Sequence, residues 1–325
     1  INYNDSAYLL PQLDWAKNAI IAPQAMLHDR TLYDPVTNSW TVSKYLNDLN
    51  ERYGGIDAVL LWYPYPNLGV DDRNEWDFFR SLPGGVNATK QMVKEFNDAG
   101  VSVLFPYTDW DIGTRDEGQP DTATIAQILA ESGAQGINLD TQCPAYGASY
   151  DYYSAGLDID YPIGIQAEWG IDFHDVSGGS FADIMYSVLS WDENGGDWDN
   201  RTYPKEILAK ILEQRHQTIV VNRWTINKVT VMHMCYLTGA GYVSWENIWG
   251  IWNGFAPQYA ETLRRFATID RAMNTLITDI DRLNNENDDD DDGIVSAWFP
   301  FVPAGRKPGI WASLFQGRLP NVKGL

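Results

Sequence analysis

Short apolar runs that end in polar residues alternate with amphipathic stretches along most of this chain. The runs are residues 18–27, 56–63, 101–107, 136–140, 163–168, 184–191, 218–224 and 241–246. Between them, 42–52, 88–99, 122–132 and 203–214 carry apolar residues at helical spacing, and 257–276 follows the last run. Gly133 stands where a helix over 122–132 would need a left-handed C-cap, and Pro204 stands at a helix start. Apolar strands alternating with helices imply a parallel sheet covered on its outside by helices. About eight such units in some 280 residues predict an α/β fold of the (β/α)₈ TIM-barrel type. The rival is a doubly wound sheet, but no Gly-rich phosphate loop follows the first run.

The barrel is expected over residues 1–285. Residues 286–293 form an acidic linker containing Asp288 to Asp292, a run that repels itself in water. Asp288, Asp290 and Asp292 before Gly293 match the start of a calcium loop, but its closing acidic residue is missing. Linker is therefore preferred to calcium, and no cofactor is expected. Residues 294–325 are aromatic, Gly/Pro-rich and strand-like. They are too few for a core of their own, so this β-rich extension packs on the barrel or begins a β-domain that stops short.

Charge narrows the partners. Lys and Arg number 23 against 44 Asp and Glu, a net charge of −21. A nucleic-acid binder needs a basic face, and an anionic membrane would repel this surface. No apolar run reaches the ~18 residues of a membrane span. Asn4, Asn87 and Asn200 begin glycosylation sequons, and the chain opens on Ile1 rather than Met. Together with the low pI and scarce Lys, these features predict a secreted glycoprotein. Cys143 and Cys235 make at most one bridge, and two buried thiols fit equally well.

In a barrel the chemistry lies at the C-terminal ends of the strands. Here those ends carry His28 and Asp29, Trp62 and Tyr65, Asp109 and Asp111, Asn138 and Asp140, and Glu168. They continue with Asp192 and Glu193, Asn222 and Arg223, and Trp245, Glu246, Asn247 and Trp249. Each has a bland reading as a helix cap or core residue. Collectively, carboxylates and indoles suit carbohydrate: rings stack on sugar C–H faces, and carboxylates accept hydroxyl protons. Glycosidic bonds are cleaved by paired carboxylic acids. Asp140 and Glu168 end consecutive strands about 4.8 Å apart, which suits the ~5–5.5 Å separation of a retaining enzyme. Asp140 with Asp192 or Glu193, or with Glu246 across the barrel, are the alternative pairs. Such crowded carboxylates predict an activity optimum of about pH 4–6. Zinc motifs, a Gly-x-Ser-x-Gly elbow and a Walker loop are absent from the sequence, so no metal site is expected.

Gly136-Ile137-Asn138-Leu139-Asp140-Thr141 and the stretch from Gly241 through Trp245-Glu246-Asn247 to Trp249 and Asn253 resemble segments of a group of secreted barrel proteins. So does Arg215-His216 through Val221-Asn222-Arg223-Trp224. That group is glycoside-hydrolase-like, with some members fused to formylglycine-generating-enzyme-like domains. The resemblance implies the barrel fold and secretion over roughly residues 15–315. The strand-four and strand-five acids also resemble those of α-amylase-type glycosidases, except that Asn138 stands where those carry Arg. Two functions are therefore expected. One is a glycoside hydrolase acting on a poly- or oligosaccharide, with Asp140, Glu168 and Glu246 as candidate catalysts. The other is a non-catalytic extracellular glycoprotein, lectin-like or self-assembling, built on the same barrel.

Overall fold

A computed structural model of the 325-residue chain describes residues 3–63, 73–108, 117–140, 148–168, 184–192, 209–210, 212–222, 228–248, 251–252, 254–278, 298–300 and 313–315. The strands run β1 Gln24–Met26, β2 Tyr33–Asp34, β3 Ser39–Trp40, β4 Ala58–Trp62, β5 Ser102–Thr108, β6 Gly136–Asp140, β7 Gly164–Ala167, β8 Leu189–Asp192, β9 Gln217–Val221 and β10 Gly241–Val243. Eight of them form one sheet in the order β1-β4-β5-β6-β7-β8-β9-β10, every pair parallel. Ile21 bridges Tyr242 in parallel, with the Ala22 N–H donating to the Tyr242 carbonyl at 3.0 Å. The last strand thus meets the chain just before the first, and the sheet closes into a (β/α)₈ barrel.

The helices are α1 Val42–Tyr53, α2 Asp77–Ser81, α3 Gly85–Asp98, α4 Asp121–Ser132, α5 Ala148–Asp158, α6 Lys228–Thr238 and α7 Pro257–Thr278. They form an outer layer in which α1 packs on α3, α3 on α4, α4 on α5, and α7 on both α6 and α1. Helix α1 shows why. Its buried Val42, Tyr45, Leu49 and Tyr53 recur at helical spacing along one face, and Gly54 ends it at φ 81°. Gly133 caps α4 at φ 81°, as the sequence predicts.

Three expectations change. The Gly-, Tyr- and Asp-rich stretch before residue 163, to which the sequence assigns no helix, contains α5, which buries Tyr152 and Tyr153. The strand expected over 184–191 is Leu189–Asp192, preceded by a helical turn at 184–186. Helix α6 has no counterpart in the sequence reading. Its Val231, Met232, Met234 and Cys235 are buried almost all round, so it carries no clear polar face. In the C-terminal region Trp298–Pro300 pairs antiparallel with Ser313–Phe315. The acidic linker, with Asp288, Asp290 and Asp292, lies outside the described residues.

Candidate active site

Side chains alternate across each strand, and register decides which share a face. Leu104, Pro106 and Thr108 of β5 pair with Gly136, Asn138 and Asp140 of β6, and Gly136 and Asn138 pair with Gly164 and Gln166 of β7. The intervening residues face the helices: Phe105 stacks on Phe79 of α2 at 3.7 Å, and Tyr107 contacts Tyr152 of α5. The Asn138 series therefore faces the lumen. There the Asn138 Nδ2 donates to Gln166 Oε1 at 3.0 Å, a buried pair one layer below the strand ends.

Asp140 is the lumen residue above Asn138. Leu139 pairs with Ala167, so the next step sets Glu168 beside Asp140, and the Glu168 N–H donates to the Leu139 carbonyl at 3.2 Å. Both carboxyl-bearing residues are buried. Trp191 of β8 occupies the position after Ser190, which pairs with Ala167, and so flanks Glu168. It is buried, and its indole N–H has no hydrogen-bond partner among the described residues.

A third carboxylate joins them. The Thr108 N–H and hydroxyl both donate to Glu75 Oε2, at 2.8 and 2.6 Å, and Thr108 is the register partner of Asp140. Sequence reasoning missed Glu75 because it ends no strand; it lies just before the short helix α2. Its apolar surroundings in the sequence, Trp76, Phe78 and Phe79, are the one signal that could have marked it.

The other sequence candidates separate. Glu246 is buried, yet it points to α1: Arg52 donates to both its oxygens, at 2.5 and 2.6 Å, and the Phe255 N–H donates to Oε1 at 2.7 Å. Although burial works against the charge, hydrogen bonds to Glu246 and Asp48 hold the Arg52 pKa above its ordinary value. Asp192 follows Trp191 and so takes the opposite face, shared with Ser190 and Thr218. His28 is exposed in the turn after β1, whereas Asp29 is buried and accepts the Thr31 N–H at 2.7 Å. Trp62 lies in the strand register beside Met26, on the lumen series. Asn222 is buried beside the Tyr242 hydroxyl. Trp245 donates to the Asn247 carbonyl at 3.0 Å. Tyr65, Asp109, Asp111, Arg223 and Trp249 lie outside the described residues, as do Glu193 and Cys143. No cluster of His, Cys, Asp and Glu among the described residues could hold a metal ion.

No family model and no curated protein matches the chain. Solved structures do match its fold. A debranching enzyme from Nostoc punctiforme, soaked with acarbose, aligns with a TM-score of 0.53 at 12% identity, over 80% of this chain and 82% of that one. A second structure of that enzyme aligns with a TM-score of 0.50 at 10% identity, over 84% and 82%. A maltogenic α-amylase from Thermotoga neapolitana aligns at 0.47 and 13% identity, over 80% and 78%. At these identities the likeness is one of fold: this chain is a (β/α)₈ barrel similar to that of the Nostoc enzyme.

Proposed function

We propose that this chain is a secreted glycoside hydrolase that cleaves a poly- or oligosaccharide with Asp140 and Glu168 and retains anomeric configuration. The observation that carries the reading is the register of β6 and β7, which puts two buried carboxylates side by side at the lumen end of a barrel. Neighbouring strands lie about 4.8 Å apart, which suits the ~5–5.5 Å carboxyl separation of a retaining enzyme. Asp140 attacks the anomeric carbon while Glu168 gives its proton to the departing glycosidic oxygen. Glu168 then takes a proton from water, whose oxygen displaces Asp140 and completes hydrolysis. Glu75, held against Thr108 of β5, adds negative charge beside β6, and like charges gathered at one mouth disfavour ionising both acids at once. The indole N–H of Trp191, unpartnered among the described residues, is a donor for a substrate hydroxyl or ring oxygen. An activity optimum of about pH 4–6 follows from one ionised and one protonated carboxyl.

Secretion is supported by the exposed side chains of Asn4 and Asn87, both in sequons. Asn200, the third, lies outside the described residues. The test is hydrolysis over a panel of neutral glycans by the purified protein. Turnover that survives both Asp140→Asn and Glu168→Gln overturns the assignment.

A further inference from the structure

The seam where the barrel closes is open at its upper end. The first and last strands meet at Ile21 and Tyr242, but β1 and β10 do not pair beyond that bridge. A narrow cleft of about 10 Å³, open to solvent, lies there, lined by Gln24, Asp29, Arg52, Glu246, Asn247 and Trp252 among others. Gln24 is buried, and its amide oxygen has no hydrogen-bond partner among the described residues. An acceptor left bare in this way costs free energy unless something donates to it.

Trp252 stands at the rim. It lies in the hairpin formed by β11 Asn247–Ile248 and β12 Ile251–Trp252, which follows the last barrel strand. Its side chain is 56% exposed, unusual for the largest apolar residue type. Yet it is held. The Arg52 guanidinium lies 5.5 Å from the ring centroid and is itself fixed by Asp48 and Glu246. Gly254 lies against the ring so closely that a Cβ there would come within 2.8 Å of the indole nitrogen. An exposed indole fixed in place beside an unfilled acceptor is a stacking platform.

We infer that Trp252 and the seam cavity form a second saccharide-binding subsite, for an uncharged sugar unit of a chain whose scissile bond lies at Asp140 and Glu168. The inference rests on the carbohydrate reading above. The sugar's C–H face stacks on the indole, and a hydroxyl reaches into the seam to donate to Gln24 or Asp29. Arg52 neutralises part of the charge of Asp48 and Glu246, and Asp29 leaves the cavity acidic. With a net charge of −21 around it, the cavity repels acidic sugars. In the order β1-β4-β5-β6-β7-β8-β9-β10, β10 lies across the barrel from β6 and β7, a distance of about 15 Å given strand spacing and tilt. Only a chain long enough to span that mouth engages both places.

The test is titration calorimetry on the full chain carrying Asp140→Asn, which binds without turnover. The probes are maltoheptaose, cellohexaose and chitohexaose, each beside its trisaccharide. Adding Trp252→Ala is expected to weaken the best-bound long chain about tenfold, and its trisaccharide by less than about twofold. Trp252→Tyr, which keeps a stacking face, is expected to recover most of the loss. Gly254→Ala, which displaces the ring, is expected to behave as Trp252→Ala does. Thermal melting confirms that each variant is folded. An unchanged long-chain affinity overturns the subsite while leaving the carbohydrate reading intact. Equal losses on long and short chains also overturn it, since they mark Trp252 as a support of the mouth. Failure of every probe to bind the parent overturns both readings together.

Discussion

Glu168 and Glu246 both follow barrel strands and are both buried, yet their neighbours give them different chemistry. Glu246 meets a guanidinium and a backbone N–H and so acts as a strut between the end of β10 and α1. Glu168 stands beside Asp140 and Trp191 at the lumen. Replacing Glu246 by Gln should lower unfolding free energy by about 2 kcal/mol, because Arg52 then loses one of its two carboxylates. Urea denaturation reads this, and an unchanged midpoint would contradict the strut. Asp140→Asn and Glu168→Gln should instead leave the midpoint within about 1 kcal/mol of the parent while reducing kcat at least a hundredfold. The place of Asp140 and Glu168 at strand ends was legible in the sequence because each closes a short apolar run. Glu75 was not, since its place at the mouth depends on a contact with Thr108, thirty-three residues away. Nor could the sequence separate Glu246 from Asp140 and Glu168, because only the packing of α1 shows where Arg52 goes.

At the scale of elements, two glycines show how the strands set the site. Gly136 and Gly164 open β6 and β7, and each packs where a side chain would collide. A Cβ on Gly136 would lie 2.5 Å from the Gly164 carbonyl oxygen, and one on Gly164 would lie 2.6 Å from the Trp15 ring. Gly136→Ala is expected to cost about 1–3 kcal/mol and also to reduce kcat, because the strand it shifts carries Asp140. Gly133→Ala makes the comparison. Its Cβ has room, but φ is +81°, so it should cost about 1 kcal/mol with kcat unchanged. Denaturation curves and kinetics on the two variants check both, and equal effects on kcat would contradict the link between strand position and catalysis. Most strands were legible as short apolar runs buried on both faces, and α1, α3, α4 and α7 because each buries one face. Helices α5 and α6 were not: one lies in a Gly-, Tyr- and Asp-rich stretch with no helical apolar spacing, and the other is apolar nearly all round.

For the whole molecule, two buried groups away from Asp140 and Glu168 make opposing contributions to how stability follows pH. His216 lies between the Tyr8 hydroxyl at 2.9 Å and the Ser190 hydroxyl at 3.0 Å, and burial, with the charge of Lys210, lowers its pKa to about 4. Between pH 6.5 and 4 only the unfolded chain takes up this proton, so His216 removes stability as pH falls. Asp270 on α7 is raised by burial to about 8, against the opposing pull of Lys210. From 3.8 to 8 only the folded chain holds that proton, so Asp270 adds stability as pH falls. Each slope is of order 1.4 kcal/mol per pH unit, and over pH 4–6.5 they oppose. His216→Asn should therefore gain acid stability relative to the parent and Asp270→Asn should lose it, read from urea curves at pH 7, 5.5 and 4.5. Parallel pH slopes in all three proteins would contradict this. The barrel itself was legible from the alternation of runs along the chain, whereas these pairings join residues far apart in sequence. The central claim, a retaining pair at Asp140 and Glu168, is tested most directly by proton NMR of the first-formed anomer during hydrolysis of a neutral oligosaccharide. The account expects the configuration of the cleaved bond to be kept, with no product signal from Asp140→Asn over the same time. An inverted anomer, or an undiminished signal from that variant, would contradict it.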